Sequence, residues 1–238
     1  MSTPIIIIVF ERLESLKKTI ESYKQFNDPY HIVIHDNGST YPPMVQYLRQ
    51  LKQQGIPVYH YPKIRKDTDL NIVNNTVQSH LKTLKNNKVN YVVTDSDIYF
   101  KDINKDILSF YNHILNSFKY TKRINVVSPM IDIYDIPDYY PLKNKVFNRQ
   151  ENRFWKTPNQ FNIHYNNSSF KAIYEQVDTH FGLYRYNESF KRMQWGIRCH
   201  SPYHCKHYEW YLNPKSIPEC EKWYNSHSSS HITHWTIK

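Results

Sequence analysis

Ile5-Ile6-Ile7-Ile8-Val9 is the one strongly apolar run in this 238-residue chain. Five residues fall far short of the ~20 that cross a bilayer, so the run reads as a buried β-strand. A helical stripe of Leu13, Leu16, Ile20 and Tyr23 follows it, and the same alternation then repeats. Residues 31–35 form a second strand. Met44, Leu48 and Leu51 line a helix that opens at Pro42-Pro43 and ends by Gly55. Residues 57–61 are a third strand, 72–84 a third helix and 90–94 a fourth strand. Ile107, Tyr111, Ile114 and Phe118 mark another helix before a strand at 125–128. Such strand-helix-strand units in series favour an α/β fold, with a mainly parallel central sheet flanked by helices. From about Asp132 the chain turns aromatic, proline-containing and irregular. Strand character returns at 176–186, and 208–212 suits a strand or a short buried helix. No linker or repeat divides the sequence, so a single domain is expected. The stretch 226–234 is polar and biased, the kind of sequence that stays mobile.

Tyr91-Val92-Val93-Thr94-Asp95-Ser96-Asp97 ends an apolar strand in two carboxylates spaced i, i+2. On an extended backbone both point to one face, about 6–7 Å apart. Two carboxylates at that range repel by roughly 3 kcal/mol at an effective dielectric of ~20, and a divalent cation is the simplest relief. Ligands of open α/β sheets bind beyond the carboxyl ends of the strands, so the pair reads as a metal platform for a phosphate-bearing substrate. Asp67-Thr68-Asp69 has the same spacing but lies beside Arg65 and Lys66, and reads as a solvated loop or helix cap.

Only four glycines occur, at 38, 55, 182 and 196. They are too scattered for a phosphate-cradling loop, which argues against a dinucleotide fingerprint or P-loop. A bound nucleotide would have its diphosphate held by a carboxylate-bound metal instead. The formal net charge of +10 favours an anionic partner, but the basic residues are dispersed and select none. Three cysteines, Cys199, Cys205 and Cys220, cannot pair completely, and no signal-type segment precedes them. A reducing, cytoplasmic setting is expected. Cys199-His200 with His204-Cys205 and His207 invites a zinc reading, yet the spacing matches structural zinc sites poorly.

The opening strand, the Leu13-Leu16 helix, the turn Asp36-Asn37-Gly38-Ser39 and Asp95-Ser96-Asp97 occur in the order seen in glycosyltransferases. Over about residues 4–130 the chain resembles family 2-like enzymes of the GT-A (Rossmann-like) fold. The resemblance implies that Asp36 hydrogen-bonds the nucleotide base. It further implies that Asp95 and Asp97 hold Mn²⁺ or Mg²⁺ on the donor diphosphate, which makes Asp95 a nucleotide-binding residue too. The later segments 177–185 and 207–211 are more distantly similar to a bacterial and viral branch, for which a viral member would act in the host cytoplasm. His207 is the histidine the resemblance selects to complete the metal site. A nucleotide-sugar-binding half over about 1–130 and an acceptor-binding half over about 131–238 follow from it.

The expected activity is transfer of a sugar from a nucleoside-diphosphate donor, UDP-linked, to an acceptor hydroxyl on a glycan, with inversion. No nucleic acid is expected as partner. The family's usual Glu-Asp dyad is not recognisable here. An inverting transfer needs a carboxylate in reach of the acceptor hydroxyl, and Asp178 and Glu209 are the candidates. Trp155, in the irregular region, is the candidate for stacking on an acceptor sugar. Three rivals remain. A nucleotidyltransferase usually needs a glycine-rich, basic loop after the first strand, where this chain has Phe10-Glu11-Arg12. A basic nucleic-acid-binding protein or nuclease would fit the charge and the 16% aromatic content. A degenerate glycan-binding module would bind without turning over a donor.

Overall fold

A computed structural model describes residues 2–63, 67–118 and 124–228, with the backbone alone for 67–69. The first half alternates as its sequence pattern requires: β1 (Thr3–Val9), α1 (Leu13–Tyr23), β2 (Tyr30–Asp36), α2 (Pro42–Gln53), β3 (Val58–His60), α3 (Val73–Thr83), β4 (Tyr91–Asp95), β5 (Ile98–Tyr99), α4 (Ile107–Ser117) and β6 (Val126–Pro129). The second half adds α5 (Lys143–Gln150), β7 (Gln160–Tyr165), β8 (Ser168–Val177), β9 (Gly182–Tyr184), β10 (Gln194–Cys199), β11 (Lys206–His207) and α6 (Glu219–His227).

Among the described residues nine strands form one sheet, in the order β3-β2-β1-β4-β9-β6-β10-β8-β7. Parallel pairing runs from β3 to β4 and joins β6 to β10. The second half supplies the antiparallel pairs: β9 wedges between β4 and β6, and β8 and β7 extend the far edge. The two halves therefore share one α/β sheet.

The isoleucine run explains the layers. Ile5, Ile7 and Val9 pack on one face with Leu16 of α1, Met44 and Leu48 of α2, and Ile114 of α4. Ile6 and Ile8 pack on the other face with Val73, Val77 and Leu81 of α3. Every residue of β1 is buried, because a central strand covered on both sides has no polar face to present. Burial of each such side chain contributes about 1.5–3 kcal/mol.

Three expectations need correction. Residues beyond Asp132 are not irregular throughout: 160–177 is a long hairpin. Its two-residue turn, Asn166-Asn167, has both φ positive, at 47° and 60°, the conformation that asparagine tolerates and that matches strand twist. The segment 176–186 is not one strand, because β8 ends at Val177 and β9 begins at Gly182. Asp97 is not on the strand: β4 stops at Asp95, and Ser96-Asp97 form a turn into β5, which pairs with β11 in a separate two-stranded sheet. Residues 208–211 form the short 3-10 helix, the second of the two forms anticipated. Asp67-Thr68-Asp69 opens another. Arg65, Lys66 and 229–234 of the polar tail lie outside the described residues. No helix among the described residues is long and apolar enough to cross a membrane, and Cys199, Cys205 and Cys220 are buried free thiols.

His35 on β2 is fully buried between Thr76 and Asn37, with ring contacts of 2.7 and 2.9 Å. Burial pulls its pKa from 6.5 to about 4. Below pH 6.5 the unfolded chain gains a proton that the folded chain refuses, so stability falls as pH drops through the window from 6.5 to 4. By linkage this is a loss of about 2 kcal/mol at pH 5. In denaturant unfolding, His35→Gln is expected to narrow the difference between pH 7.5 and pH 5 by about that amount; an unchanged difference would exclude His35 as its source.

Candidate active site

The carboxyl ends of β1, β2 and β4 open into a cavity of about 420 Å³. At its floor the Asp95-Ser96-Asp97 turn is pinned from every side. Asp95 N–H donates to Thr179 O (2.7 Å), Ser96 N–H to Ile8 O (3.1 Å) and Tyr208 N–H to Asp97 O (2.7 Å). Thr19 of α1 adds its hydroxyl to Ser96 O at 2.8 Å. These bonds account for the departure from an extended strand.

Between β1 and α1 the loop Phe10-Glu11-Arg12 turns inward at Glu11, whose φ is 61°. A left-handed backbone at a non-glycine residue is strained. The Glu11 carboxylate offsets that strain by accepting from Thr40 N–H and Oγ1 and from Tyr41 N–H at 2.7–2.9 Å. The result is a buried Arg12 whose guanidinium reaches three carboxylates: Asp97 at 2.5 Å, Glu209 at 2.9 Å and Glu221 of α6 at 3.2 Å. Tyr224 lies beneath it, 3.9 Å from ring centroid to guanidinium carbon. Burial works to lower the Arg12 pKa, and Glu209, Glu221 and Asp97 together outweigh it, holding the pKa well above its usual value.

One guanidinium does not balance this many acids. Burial pushes Glu221 up to about 7, with Glu209 and Asp97 adding to the rise and Arg12 opposing it. Asp95 is likewise raised well above the carboxylate range, by burial first and then by Asp97, although it accepts a hydrogen bond from the Thr179 hydroxyl.

His207 arrives on β11, paired opposite Ile98, with its ring stacked 5.0 Å from Trp210. One ligand atom each from Asp97, His207 and Glu209 lie within 4.8 Å of one another. His207 Nε2 stands 3.6 Å from Asp97 Oδ2, too far for a hydrogen bond. Asp97 Oδ1 and His207 Nδ1 are buried without a hydrogen-bond partner. The donor set thus fits a divalent cation, and among the described residues it is the one such cluster of three. Cys199, His200, His204 and Cys205 form none.

The other expected residues fall as follows. Asp178, in the loop after β8, lines the cavity; its carboxylate accepts from Thr179 N–H (3.0 Å) and Arg192 Nε (2.9 Å). Asp36 ends β2, where it accepts from Ser39 N–H at 3.1 Å and meets the His60 ring at 3.0 Å; Asn37, its neighbour, is the residue that lines the cavity. Trp155 packs edge-on against Tyr134 and His200, and the adjacent Phe154 faces the cavity in its place.

Arg12, Glu221, Thr179, His180 and Arg198 were not singled out by sequence. Thr179 and His180 are presented by a short loop that closes at Phe181, whose φ is 61°. Phe181 is itself fully buried among Tyr23, Phe26, Phe100 and Tyr111. His180 is kept neutral, its pKa lowered by burial and by nearby Arg198 and His207.

No protein-family model matches the sequence, and no curated protein matches it either. Among solved structures the chain is similar to a mannosyltransferase from Pyrobaculum calidifontis in complex with GDP-Man and Mn²⁺, at 10% identity and a TM-score of 0.48, covering 93% of this chain and 59% of that one. It is also similar to TarS 1-349 of S. aureus in complex with UDP, at 13% identity and a TM-score of 0.45, covering 94% of this chain and 63% of that one. GalNAc-T7 with UDP, GalNAc and Mn²⁺ matches at 14% identity and a TM-score of 0.36, over 56% of this chain and 23% of its own. The chain thus spans about three fifths of the length of the first two. These are likenesses of overall fold, at identities too low to transfer any residue's role.

Removing one partner of a buried ionic cluster leaves the others uncompensated, at a typical cost of about 3–5 kcal/mol. Arg12→Met is therefore expected to lower unfolding free energy by that amount at pH 7.5 in divalent-free buffer. Glu221→Gln is expected to cost far less, because its carboxyl is already drawn toward the neutral form. Equal losses in the two variants would contradict the assigned charge imbalance.

Proposed function

We propose that this chain is a metal-dependent glycosyltransferase, moving a sugar from a nucleoside-diphosphate donor, UDP-linked, to an acceptor hydroxyl on a glycan, with inversion. The observation that carries the reading is the cluster of Asp97, His207 and Glu209, with ligand atoms within 4.8 Å of one another and Asp97 Oδ1 buried and unpartnered, at the carboxyl end of the parallel strands. Mn²⁺ or Mg²⁺ held there would stabilise charge on the departing diphosphate, an effect typically worth several kcal/mol.

The protein's own groups divide the remaining work. Asp97 keeps Oδ2 on Arg12 and has Oδ1 left for an ion. Asp95, fixed by Thr179, adds a carboxylate on the same cavity floor. Glu209 is held by Arg12 among the ligand atoms, which leaves Asp178 as the carboxylate better placed to take the acceptor proton, oriented by Arg192. Asp36, at the end of β2, retains lone pairs beyond those used by Ser39 and His60, and in this reading accepts from the uracil N–H. Trp155 packs away from the cavity and the Phe154 ring is covered by the Arg198 and Arg153 guanidiniums, so this reading assigns no aromatic to stacking on the acceptor sugar. The site draws on both halves of the chain: the donor-binding part contributes Asp95 and Asp97, and the part after residue 130 contributes His207, Glu209 and Asp178. A reducing compartment, the cytoplasm, is consistent with the buried thiols.

A thermal-shift screen of UDP, GDP and their sugars, each with and without Mn²⁺, tests the reading. Ligand at 100 times its Kd stabilises by about 2.7 kcal/mol. UDP with Mn²⁺ is expected to raise the midpoint by several degrees, Mn²⁺-free UDP by much less, and Asp97→Ala to erase the difference. Donor turnover is expected to fall at least about 10²-fold in Asp95→Ala or Asp97→Ala, as for loss of one electrostatic stabiliser. A Mn²⁺-independent shift, or near-normal turnover in either variant, would remove the metal role.

A further inference from the structure

Arg198 on β10 is 4% exposed. Its Nε donates to Gln176 O at 2.8 Å, and its guanidinium lies 3.9 Å over the Phe154 ring. Among the described residues it has no ion pair. The two acids whose charge it feels, Asp178 and Glu175, are engaged by Arg192 and Arg153. Burial draws its pKa down to about 9, so it stays charged at neutral pH. A buried cation without a counter-ion is costly, and this one lines the cavity.

It does not stand alone. Arg149 and Arg153, four residues apart where α5 runs into the turn that follows it, line the same cavity together with Arg192. The acids Asp95, Asp97 and Glu209 line it as well, so acidic and basic groups share one enclosure. β10 is three strands from β4 in the sheet, about 14 Å at the usual strand spacing. That separation suits two ligands lying side by side.

We propose that the Arg198 wall is a subsite for an anionic group, a carboxylate or a phosphate, carried by the acceptor. The word acceptor rests on the transferase reading above; the anion site does not. A planar guanidinium stacked on Phe154 matches either oxyanion in a two-point contact. A neutral glycan offers this wall nothing to compensate the buried charge, so acidic acceptors are selected over neutral ones.

Isothermal titration at low salt with glucuronic acid, glucose 6-phosphate and glucose, without donor or metal, tests the subsite on wild type, Arg198→Gln and Arg198→Lys. At least one anionic sugar is expected to bind 10-fold or more tightly than glucose, and the tighter of the two identifies the oxyanion. The advantage is expected to vanish in Arg198→Gln, survive in part in Arg198→Lys, and shrink with added salt. UDP with Mn²⁺ is expected to bind Arg198→Gln within about twofold of wild type, which also shows that the variant is folded. Anionic sugars that bind no better than glucose, or that keep their advantage in Arg198→Gln, would overturn the subsite. Equal weakening of UDP and the anionic sugars would assign Arg198 to the donor and overturn it too. Arg198-dependent binding of an anionic sugar by a protein that ignores every nucleotide would uphold the subsite and sink the transferase reading instead.

Discussion

The contact between the Arg12 guanidinium and the carboxylates of Asp97, Glu209 and Glu221 is the constraint around which the site is arranged. It ties the loop after β1, the turn after β4, the short helix after β11 and α6 into one buried knot. Paired charges taken out of water stabilise little in net terms, but removing one member is costly. The knot therefore works as a register device: each element must arrive in place for the charges to be tolerable. The left-handed turn at Glu11 and the bonds that compensate it belong to the same requirement, since they aim Arg12 inward.

The knot is also unbalanced. The acids outnumber its one arginine, and burial with neighbouring carboxylates raises the pKa values of Asp95 and Glu221, drawing both toward protonation. A divalent cation relieves the same excess without protons. The orphaned Asp97 Oδ1 is where that relief has room to act.

Much of the first half was legible because its elements are set by local periodicity. The isoleucine run, the Leu13-Leu16 stripe and the Asp95 strand end all follow from patterns of two and of 3.6 residues. Asp97 lines the cavity for a reason other than strand geometry: bonds from Ser96 to Ile8 and Thr19 and from Asp97 to Tyr208 bend the chain. Arg12 was invisible as a site residue because its partners lie 85 and 197 residues away, and charge pairing across such distances leaves no local pattern. Arg198 was missed for a related reason, since a lone arginine in a strand reads as an edge residue until its burial is known. The 160–177 hairpin had a local signal in Asn166-Asn167, obscured by the aromatic and polar residues around it. Trp155 was chosen for its place in the irregular region, and only the turn that carries it decides that its neighbour Phe154 meets the cavity.

The insertion of β9 carries a consequence for how the molecule is made. The edges of β4 and β6 that face each other find no strand partner among the described residues of the first 130; they wait for Gly182, Leu183 and Tyr184. During synthesis a split, half-finished sheet must persist until those residues leave the ribosome, at rates of about 5–20 residues per second. Unpaired strand edges invite pairing with other chains, so the nascent protein passes through a vulnerable interval of several seconds.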